Sequence, residues 1–247
     1  MNDVTGSDAV MSDDTWDRRE ELTANLVDVR ARMAAAELAA GRAPGSVNLV
    51  AVTKTWPAED VALLSTLGIV DVAENRHQEA VTKHDELRDL NLRWHFIGQL
   101  QRNKCRAVAQ YTDVVESVDR IELVGPLDRG AQEGERQIDA LIQVDLQVPP
   151  EPHRGGAAPS DVPALVEAVM SSQALRLTGV MAVAPLGENP RPAFDRLYAL
   201  FQGLKDQCPD VTVMSAGMSD DLEEAVFAGT THIRIGTAVL GRRPKVG

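Results

Sequence analysis

Eight short apolar runs alternate with amphipathic stretches along almost the entire chain. The runs lie near 48–54, 69–75, 92–98, 112–118, 138–146, 177–184, 211–216 and 232–237. The stretches between them have helical periodicity and lie near 57–67, 76–90, 101–110, 119–134, 160–173, 190–207 and 219–228. Strands that alternate with helices form a parallel sheet. Eight such strands in about 200 residues predict an α/β fold, a single (β/α)8 TIM-type barrel.

An open, doubly wound sheet is the alternative architecture for this alternation. That fold usually carries a Gly-rich phosphate turn after its first strand. Here the corresponding turn is Thr53-Lys54-Thr55-Trp56-Pro57, which contains no glycine. The sequence therefore favours the closed barrel.

An additional long helix is predicted before the first strand, from about residue 15 to Gly41. Its apolar residues recur at three- and four-residue steps, at Leu22, Leu26, Val29 and Met33. The preceding residues are acidic and contain glycine and serine, as in disordered segments. We therefore expect a disordered tail over residues 1–14 and one barrel domain over 15–247.

The charge and cysteine content narrow the class of protein. The 247 residues include 37 acidic and 25 basic ones, for a formal net charge of −12. A surface this negative repels phosphate backbones and anionic lipids, so we expect no nucleic-acid or membrane partner. Neither the histidines nor Cys105 and Cys208 have the spacing of a metal site. The sequence predicts a cytoplasmic protein, because no apolar run is long enough for a membrane span and the acidic start is unlike a signal peptide.

A lysine, Lys54, ends the first apolar run. The run is typical of a buried strand, and α/β barrels build their sites at the carboxyl ends of their strands. An amine held on a rigid strand and partly screened from water can form an imine with an aldehyde. The alternative is a strand-end lysine whose amine simply extends into solvent.

The eighth run carries an arginine that strand alternation directs inward. His232, Arg234 and Gly236 share one face of this strand, and Ile233 and Ile235 share the other. Isoleucine suits the outer face that helices cover, so we expect the Arg234 side chain inside the barrel. A buried guanidinium requires an acceptor. We expect either a carboxylate from another strand or a ligand.

The ends of the seventh and eighth runs have the composition of a phosphate-binding cup. Gly236 and Thr237 offer backbone N–H groups and a hydroxyl where the chain leaves the sheet. Ser215 ends the seventh run, and Ser219 opens the next turn. Residues 220–223 fit a capping box, and their carboxylates disfavour a phosphate at that helix end. We therefore assign phosphate contacts to Ser215, Gly236 and Thr237, with Ser219 as a further candidate.

Two other strands end in polar residues. Asn75 follows the second strand and is either a helix cap or a ligand contact, and His95 in the third is either a satisfied core histidine or a functional one. After the fifth strand, residues 147–159 form an irregular loop with four prolines and two glycines. A loop of this kind at the site face suits a lid.

Five segments together resemble the pyridoxal-phosphate homeostasis protein family in order and spacing. They are LVAVTKTWP, AENRHQEA, LRWHFIGQLQRNK, LTGVMAVAP and SAGMSDDLEEAVFAGTTHIRIGTAVLG. The resemblance implies one (β/α)8 barrel, like the N-terminal domain of alanine racemase, that holds pyridoxal 5′-phosphate (PLP) as a Schiff base. It also implies that the protein buffers and delivers PLP in vitamin B6 and amino-acid homeostasis, without robust catalytic activity.

Carried over to this chain, the resemblance implies that Lys54 forms the Schiff base and that Arg234 faces the pyridine nitrogen. It also implies that Asn75 and Met181 line the ring and that Ser215, Gly236 and Thr237 contact the phosphate. Ser219 remains the further candidate for a phosphate contact. The sequence departs from the commoner family pattern at Ala73, Arg76 and Gln99. These departures concern the rim of the pocket and leave the lysine and the arginine in place.

An arginine opposite the ring nitrogen favours binding over catalysis. PLP enzymes usually place a carboxylate there, whereas arginine has only donors. The resemblance also implies that racemases of this fold add a second domain and a partner's tyrosine, and the two tyrosines here are Tyr111 and Tyr198. We therefore expect a monomer that is not an enzyme and that transfers PLP transiently to apo PLP-dependent enzymes. The alternatives are a monomeric racemase or lyase with His95 or Lys54 as base, and an interaction protein that docks onto B6-dependent enzymes.

Overall fold

The structure, a computed structural model, describes residues 13–149 and 155–242. Within these residues, eight parallel strands close into a barrel in the order in which they occur along the chain. The strands are β1 Asn48–Val52, β2 Asp71–Glu74, β3 Arg93–Phe96, β4 Val114–Val118, β5 Ile138–Gln143, β6 Leu175–Met181, β7 Val213–Ser215 and β8 His232–Ile235. Because β1 pairs directly with β8, the sheet is closed and the predicted barrel is confirmed.

Helices lie around the outside of the barrel. They are α1 Asp13–Ala39, α2 Ala58–Thr66, α3 His77–Glu86, α4 Cys105–Val108, α5 Ile121–Glu133, α6 Val162–Met170, α7 Arg191–Lys205, α8 Leu222–Ala228 and α9 Thr237–Leu240. A single 3₁₀ turn, Arg102–Lys104, precedes α4 in the described part of the chain. The predicted helices are present. The sequence did not predict α9, which begins where we expected the end of β8.

Strand alternation separates the outer layer from the interior of the barrel. Ala51, Ile233 and Ile235 are buried in the apolar layer between the strands and the helices. Val50 and Val52 instead pack together inside the barrel. The residues with odd and even numbers therefore face opposite sides, as their period of two predicts.

The long helix α1 covers the barrel beside α8 and α9. Leu22, Leu26 and Val29 are buried in the outer apolar layer, as their spacing predicted. The helix begins at Asp13, two residues before the predicted start of the domain, which is within the usual variation of helix ends. The rest of the predicted tail, residues 1–12, lies outside the described residues.

The sequence also led to expectations about membrane spans, metal sites, the two cysteines and the loop 147–159. In the described parts of the chain, no helix is both long and apolar enough to cross a membrane, and no cluster of His, Cys, Asp and Glu side chains is suited to a metal ion. Cys105 and Cys208 are buried free thiols. Of the predicted lid, 147–159, the structure describes only the two ends.

Candidate functional site

Lys54 lies in the turn after β1, at the carboxyl-terminal end of the barrel. Its side chain is half-buried and makes no hydrogen bond or ion pair with any described residue. It follows Val50 and Val52 in the alternation that places side chains inside the barrel. The amine of Lys54 is therefore unpaired among the described residues and lies at the end of the barrel where sites of this fold form.

A buried ion pair supports the turn that carries Lys54. The ammonium of Lys83 on α3 donates to Glu74 Oε1 at 2.6 Å and to Glu79 Oε1 at 2.9 Å, and also to the carbonyl of Thr53 at 2.8 Å. Burial raises the pKa of Glu74, although its hydrogen bonds from Lys83 and Thr53 oppose the rise. Since each N–H of Lys83 has an acceptor, this lysine holds the turn and is not free to react with an aldehyde.

The residue after Lys54 has a strained backbone. Thr55 has a φ of +67°, in the left-handed region that residues other than glycine rarely adopt. Its N–H donates to the Glu79 carboxylate, which also accepts from Lys83. Such strain persists only where the surroundings enforce it, and it concentrates at functional sites. Here the surroundings that enforce it are Glu79 and Lys83.

Asn75 follows β2, the strand that pairs with β1. Its Oδ1 atom is buried without a hydrogen-bond partner among the described residues. A buried acceptor left unsatisfied is costly, so this atom is available to accept a hydrogen bond from a ligand. The backbone of Asn75 is fixed by close approach to Gly98, where a Cβ atom would overlap the Asn75 carbonyl oxygen.

We expect Gly98→Ala to destabilise the protein by about 1–3 kcal/mol, the usual cost of overpacking. The added Cβ must push the Asn75 backbone away. Urea unfolding of the variant and the wild type measures the difference. Gly203→Ala is the control, because Gly203 is exposed on α7 and its Cβ would meet nothing within 4 Å. Equal stability of Gly98→Ala and the wild type would show that the contact is not tight.

Arg234 points into the barrel, as the alternation of β8 predicted. Its Nη1 donates to Ser215 Oγ at 2.6 Å and its Nη2 to the carbonyl of Ala182 at 2.9 Å. The carboxylate of Glu116 lies 3.6 Å from Nη1. The hydrogen-bond acceptors of the guanidinium are thus a hydroxyl and a carbonyl, and the carboxylate from another strand, one of the two alternatives predicted, is present as the ion-pair partner Glu116.

Glu116 also connects Arg234 to a histidine. Glu116 Oε2 accepts from Ser215 Oγ at 2.7 Å, and Oε1 lies 2.7 Å from His95 Nδ1. The other ring nitrogen of His95, Nε2, lies 3.0 Å from Asp71 Oδ1. His95 is buried with both nitrogens occupied. Of the two interpretations of His95, the structure therefore favours a satisfied core histidine.

The surroundings favour the charged forms of Glu116 and His95 in the row of side chains Arg234–Glu116–His95–Asp71. Burial alone would raise the pKa of Glu116, but His95 and Arg234 outweigh it and the pKa falls to about 2. Burial alone would lower the pKa of His95, and its hydrogen bonds to Asp71 and Glu116 reverse the effect and raise it. By contrast, burial lowers the pKa of His232 to about 4. The raised pKa and the carboxylates that face both ring nitrogens favour the cationic form of His95.

We expect His95→Gln to cost the most stability below about pH 6.5, the ordinary pKa of histidine, and less at higher pH. The pKa of His95 is raised in the folded protein. Its contribution to stability is therefore complete below the unfolded pKa and is lost as the pH rises through the folded pKa. Denaturant unfolding of both proteins over a series of pH values measures the difference. A difference that grew with pH would contradict the assignment of a cationic His95.

The predicted phosphate residues occupy two different environments. Ser215 is fully buried, and its hydroxyl is engaged by Glu116 and Arg234 inside the barrel. Ser219, half-buried, lies against the start of α9, with its Oγ 3.3 Å from the nitrogen of Ala238. Gly236 and Thr237 are at the same helix start and are not buried. A phosphate contact stays a prediction for all four, and the position of Ser219 beside α9 favours it more than the sequence did.

The turn that carries Ser219 is anchored by α1. Arg32 donates to the carbonyl of Ser219 at 3.0 Å and to Glu223 Oε1 and Oε2 at 2.7 and 2.8 Å. The predicted capping box is therefore wrong: Glu223 pairs with Arg32, and the residue at the N-cap of α8 is Asp221. Pairing with Arg32 lowers the pKa of Glu223 and neutralises one of the carboxylates that had disfavoured an anion here.

Met181, the remaining predicted cofactor contact, and the two tyrosines lie in three different environments. Met181 is buried at the end of β6, in the barrel interior, where lining a cofactor ring stays a prediction. Tyr111 is buried and stacks on His77, and burial raises its pKa. Tyr198 is partly exposed on α7, against Phe201.

Comparison with known proteins places the chain in a family. The family described as alanine racemase, N-terminal domain, matches residues 25–244. A pyridoxal phosphate homeostasis protein of Mycobacterium leprae (strain TN) is 40% identical over 241 residues, which cover 91% of this chain and 94% of that protein. Its counterpart in Pseudomonas aeruginosa is 41% identical over 225 residues, with 89% and 94% covered. The chain belongs to the pyridoxal phosphate homeostasis protein family.

A solved structure has the same fold along its full length. PipY of Synechococcus elongatus PCC7942, determined with PLP bound, superposes with a TM-score of 0.77 at 34% sequence identity. The match covers 89% of this chain and 100% of PipY. This similarity extends the family assignment from sequence to three-dimensional structure and confirms the resemblance that the five segments indicated.

The sequence did not identify Glu116, Asp71, Glu74 or Lys83 as parts of the candidate site. One signal was available: Glu116 is an acidic residue in the middle of the apolar run 112–118. A carboxylate in a buried strand requires a partner, and its alternation with Val114 directs it inward. The support by Lys83 had no comparable signal, because α3 is rich in charged residues.

Proposed function

We propose that this protein binds PLP as a Schiff base at Lys54 and that it buffers and delivers the cofactor in B6 and amino-acid homeostasis, without robust catalysis. The observation that carries the proposal is that two paired strands, β1 and β2, are followed by the free amine of Lys54 and by the unsatisfied, buried Oδ1 of Asn75. The amine of Lys54 is able to form an imine with an aldehyde, and a hydroxyl of the ligand would donate a hydrogen bond to Oδ1 of Asn75. The names of the relatives and the PLP in PipY support the same ligand.

The other residues of the site suit the remaining groups of PLP. Two N–H groups of Arg234 are used by described residues, which leaves donors of this five-donor side chain for a ring nitrogen. Ser219, Gly236 and Thr237 lie together at the start of α9 and suit the phosphate. Bound PLP supplies an electrophilic ring system. The residues of the chain hold it, orient it and keep a permanent positive charge beside its ring nitrogen.

The positions of the candidate bases support delivery more than catalysis. Both nitrogens of His95 are bonded to carboxylates, and Tyr111 is buried with a raised pKa. A guanidinium accepts no proton at ordinary pH, so Arg234 does not keep a ring nitrogen protonated. These observations weigh against a racemase or lyase that uses His95 or Tyr111 as its base.

The test compares transfer with turnover. Protein loaded with PLP and freed of excess is mixed with the apo form of a PLP-dependent enzyme, whose recovered activity is followed. A second portion is incubated with L-amino acids, and racemised or deaminated products are measured. We expect recovery of the apo-enzyme and no product above the level of free PLP. Substantial product with the protein alone would favour the enzyme.

We also propose that the protein is a monomer with one PLP site. Lys54, Asn75 and Ser219 follow β1, β2 and β7, and Arg234 lies on β8, so one chain supplies all four residues at or near the same end of the barrel. The net charge of −12 opposes self-association at low salt. Sedimentation across a hundredfold dilution, about two decades of concentration, should give one constant mass. A dimer that released PLP on dissociation would contradict a single-chain site.

A further inference from the structure

A deeply buried carboxylate, that of Glu116, lies 3.6 Å from the guanidinium of Arg234. The side chain of Glu116 is 1% exposed and that of Arg234 is 3% exposed. Carbonyl and hydroxyl groups, such as those of Ala182 and Ser215, are able to satisfy an arginine by hydrogen bonding alone. An ionised carboxylate at this depth is costly unless it is paired. Binding of a ring nitrogen by Arg234 therefore does not by itself explain why a buried carboxylate, Glu116, lies next to it.

The contacts of Glu116 leave it no means of touching a ligand directly. Its Oε1 is occupied by His95, and its Oε2 by the hydroxyl of Ser215, which in turn accepts from Arg234. Both carboxylate oxygens thus face protein groups. Any effect of Glu116 at the barrel mouth must therefore pass through the groups beside it, which are Arg234 and the Ser215 hydroxyl that bonds to Arg234.

The row continues beyond His95 to the amino-terminal end of the barrel. Asp71 accepts from His95 at 3.0 Å and lies 3.9 Å from Arg93. Arg93 pairs with Asp139 at 2.5 Å, and Asp139 pairs with Arg176 at 2.7 Å. Positive and negative side chains therefore alternate along the whole row, and each charge is balanced by its neighbours.

We propose that Glu116, held by His95, is a positioning residue that fixes the guanidinium of Arg234 for the ring nitrogen of the cofactor. This inference rests on the proposed PLP function. Removing Glu116 leaves Arg234 with two neutral acceptors and an unbalanced charge. The guanidinium then turns toward water or a phosphate, and its contact with the ring weakens. Glu116 thus contributes to the binding of PLP without contacting it.

Charged or titratable groups lie beside this pair or along the row of ion pairs that leads away from it. They are Asp71 on β2, Arg93 and His95 on β3, Asp139 on β5 and His232 on β8, together with Asp221 near Arg234. A neutral amide in place of the Glu116 carboxylate changes the potential that all of them produce at the ring. The pH at which bound PLP changes its protonation state should therefore differ between Glu116→Gln and the wild type. A loss of packing alone would not cause this difference.

A double-mutant cycle tests the proposal. The proteins are the wild type, Glu116→Gln, Arg234→Lys and the double variant, with Ser117→Ala as control, because Ser117 is the next, equally buried residue of β4. PLP affinity is measured by absorbance titration, and the spectrum of the bound cofactor is followed against pH. We expect Glu116→Gln and Arg234→Lys each to weaken binding about tenfold, the loss of one charge-assisted hydrogen bond. The double variant should be little weaker than Arg234→Lys alone.

The outcomes separate this inference from the proposed function. If the wild type binds no PLP, the proposed function fails, and this inference fails with it. If the wild type binds PLP but the two effects add, or if Glu116→Gln has wild-type affinity and an unchanged pH profile, only the positioning role is overturned. If Glu116→Gln does not fold, the cycle is run with His95→Gln, which keeps both Glu116 and Arg234. Additivity with Arg234→Lys would then overturn the proposal.

Discussion

Lys54→Ala is expected to abolish the imine absorbance of the PLP-loaded protein while leaving the barrel folded. The side chain of Lys54 makes no hydrogen bond or ion pair with described residues, so its removal costs the fold little. PLP should still bind more weakly through Arg234 and the turn at α9. Absorbance spectroscopy of the purified, PLP-treated variant measures the loss, and circular dichroism monitors the fold.

Lys104→Ala is the matched control for this experiment. Lys104 is half-buried in the 3₁₀ turn that follows β3, close to the same end of the barrel. It should retain the wild-type absorbance. An undiminished imine in Lys54→Ala would show that another lysine reacts with the aldehyde. Lys83 is excluded from that role by its three hydrogen bonds.

Lys83→Met is expected to destabilise the protein by about 3–5 kcal/mol, the usual cost of removing one partner of a buried ion pair. Glu74 would remain buried without its cation, and the carbonyl of Thr53 would lose its donor. The same change should loosen the turn that presents Lys54 and slow imine formation. Thermal or urea unfolding and stopped-flow absorbance measure the two effects.

The double variant Lys83→Met/Glu74→Gln separates charge from packing. It removes the uncompensated carboxylate, so it should be more stable than Lys83→Met alone. The slow imine formation should persist, because the turn still lacks its support. If the destabilisation of the double variant equalled the sum of the destabilisations by Lys83→Met and by Glu74→Gln alone, Lys83 and Glu74 would not act as a pair.

The sequence predicted the barrel because its signal is repeated eight times. Each strand, such as β1 or β8, has an apolar outer face that only helix packing buries, and the alternation with helices allows few sheet arrangements. Boundaries were less precise: the predicted strands were generally longer than the observed ones, since apolar residues continue into the adjoining turns. The prediction missed α9 because a single helical turn has too few residues for periodicity.

Parts of the candidate site followed from alternation alone, and parts did not. Lys54 at the barrel mouth and Arg234 inside it required only a period of two. The commitment of Ser215 to Glu116 depends on contacts across the barrel, 99 residues apart in the sequence. The pairing of Arg32 with Glu223 likewise joins the first helix to α8. Such long-range partners determine which serine is engaged inside the barrel, and local sequence does not specify them.

The most direct test of the central claim is to locate the covalent bond to PLP. The loaded protein is reduced with borohydride, which makes the imine permanent, and is then digested and analysed by peptide mass spectrometry. We predict one pyridoxyl group per chain, on the peptide that contains Lys54. Absence of any label, or a label confined to other lysines such as Lys104 or Lys205, would contradict the account.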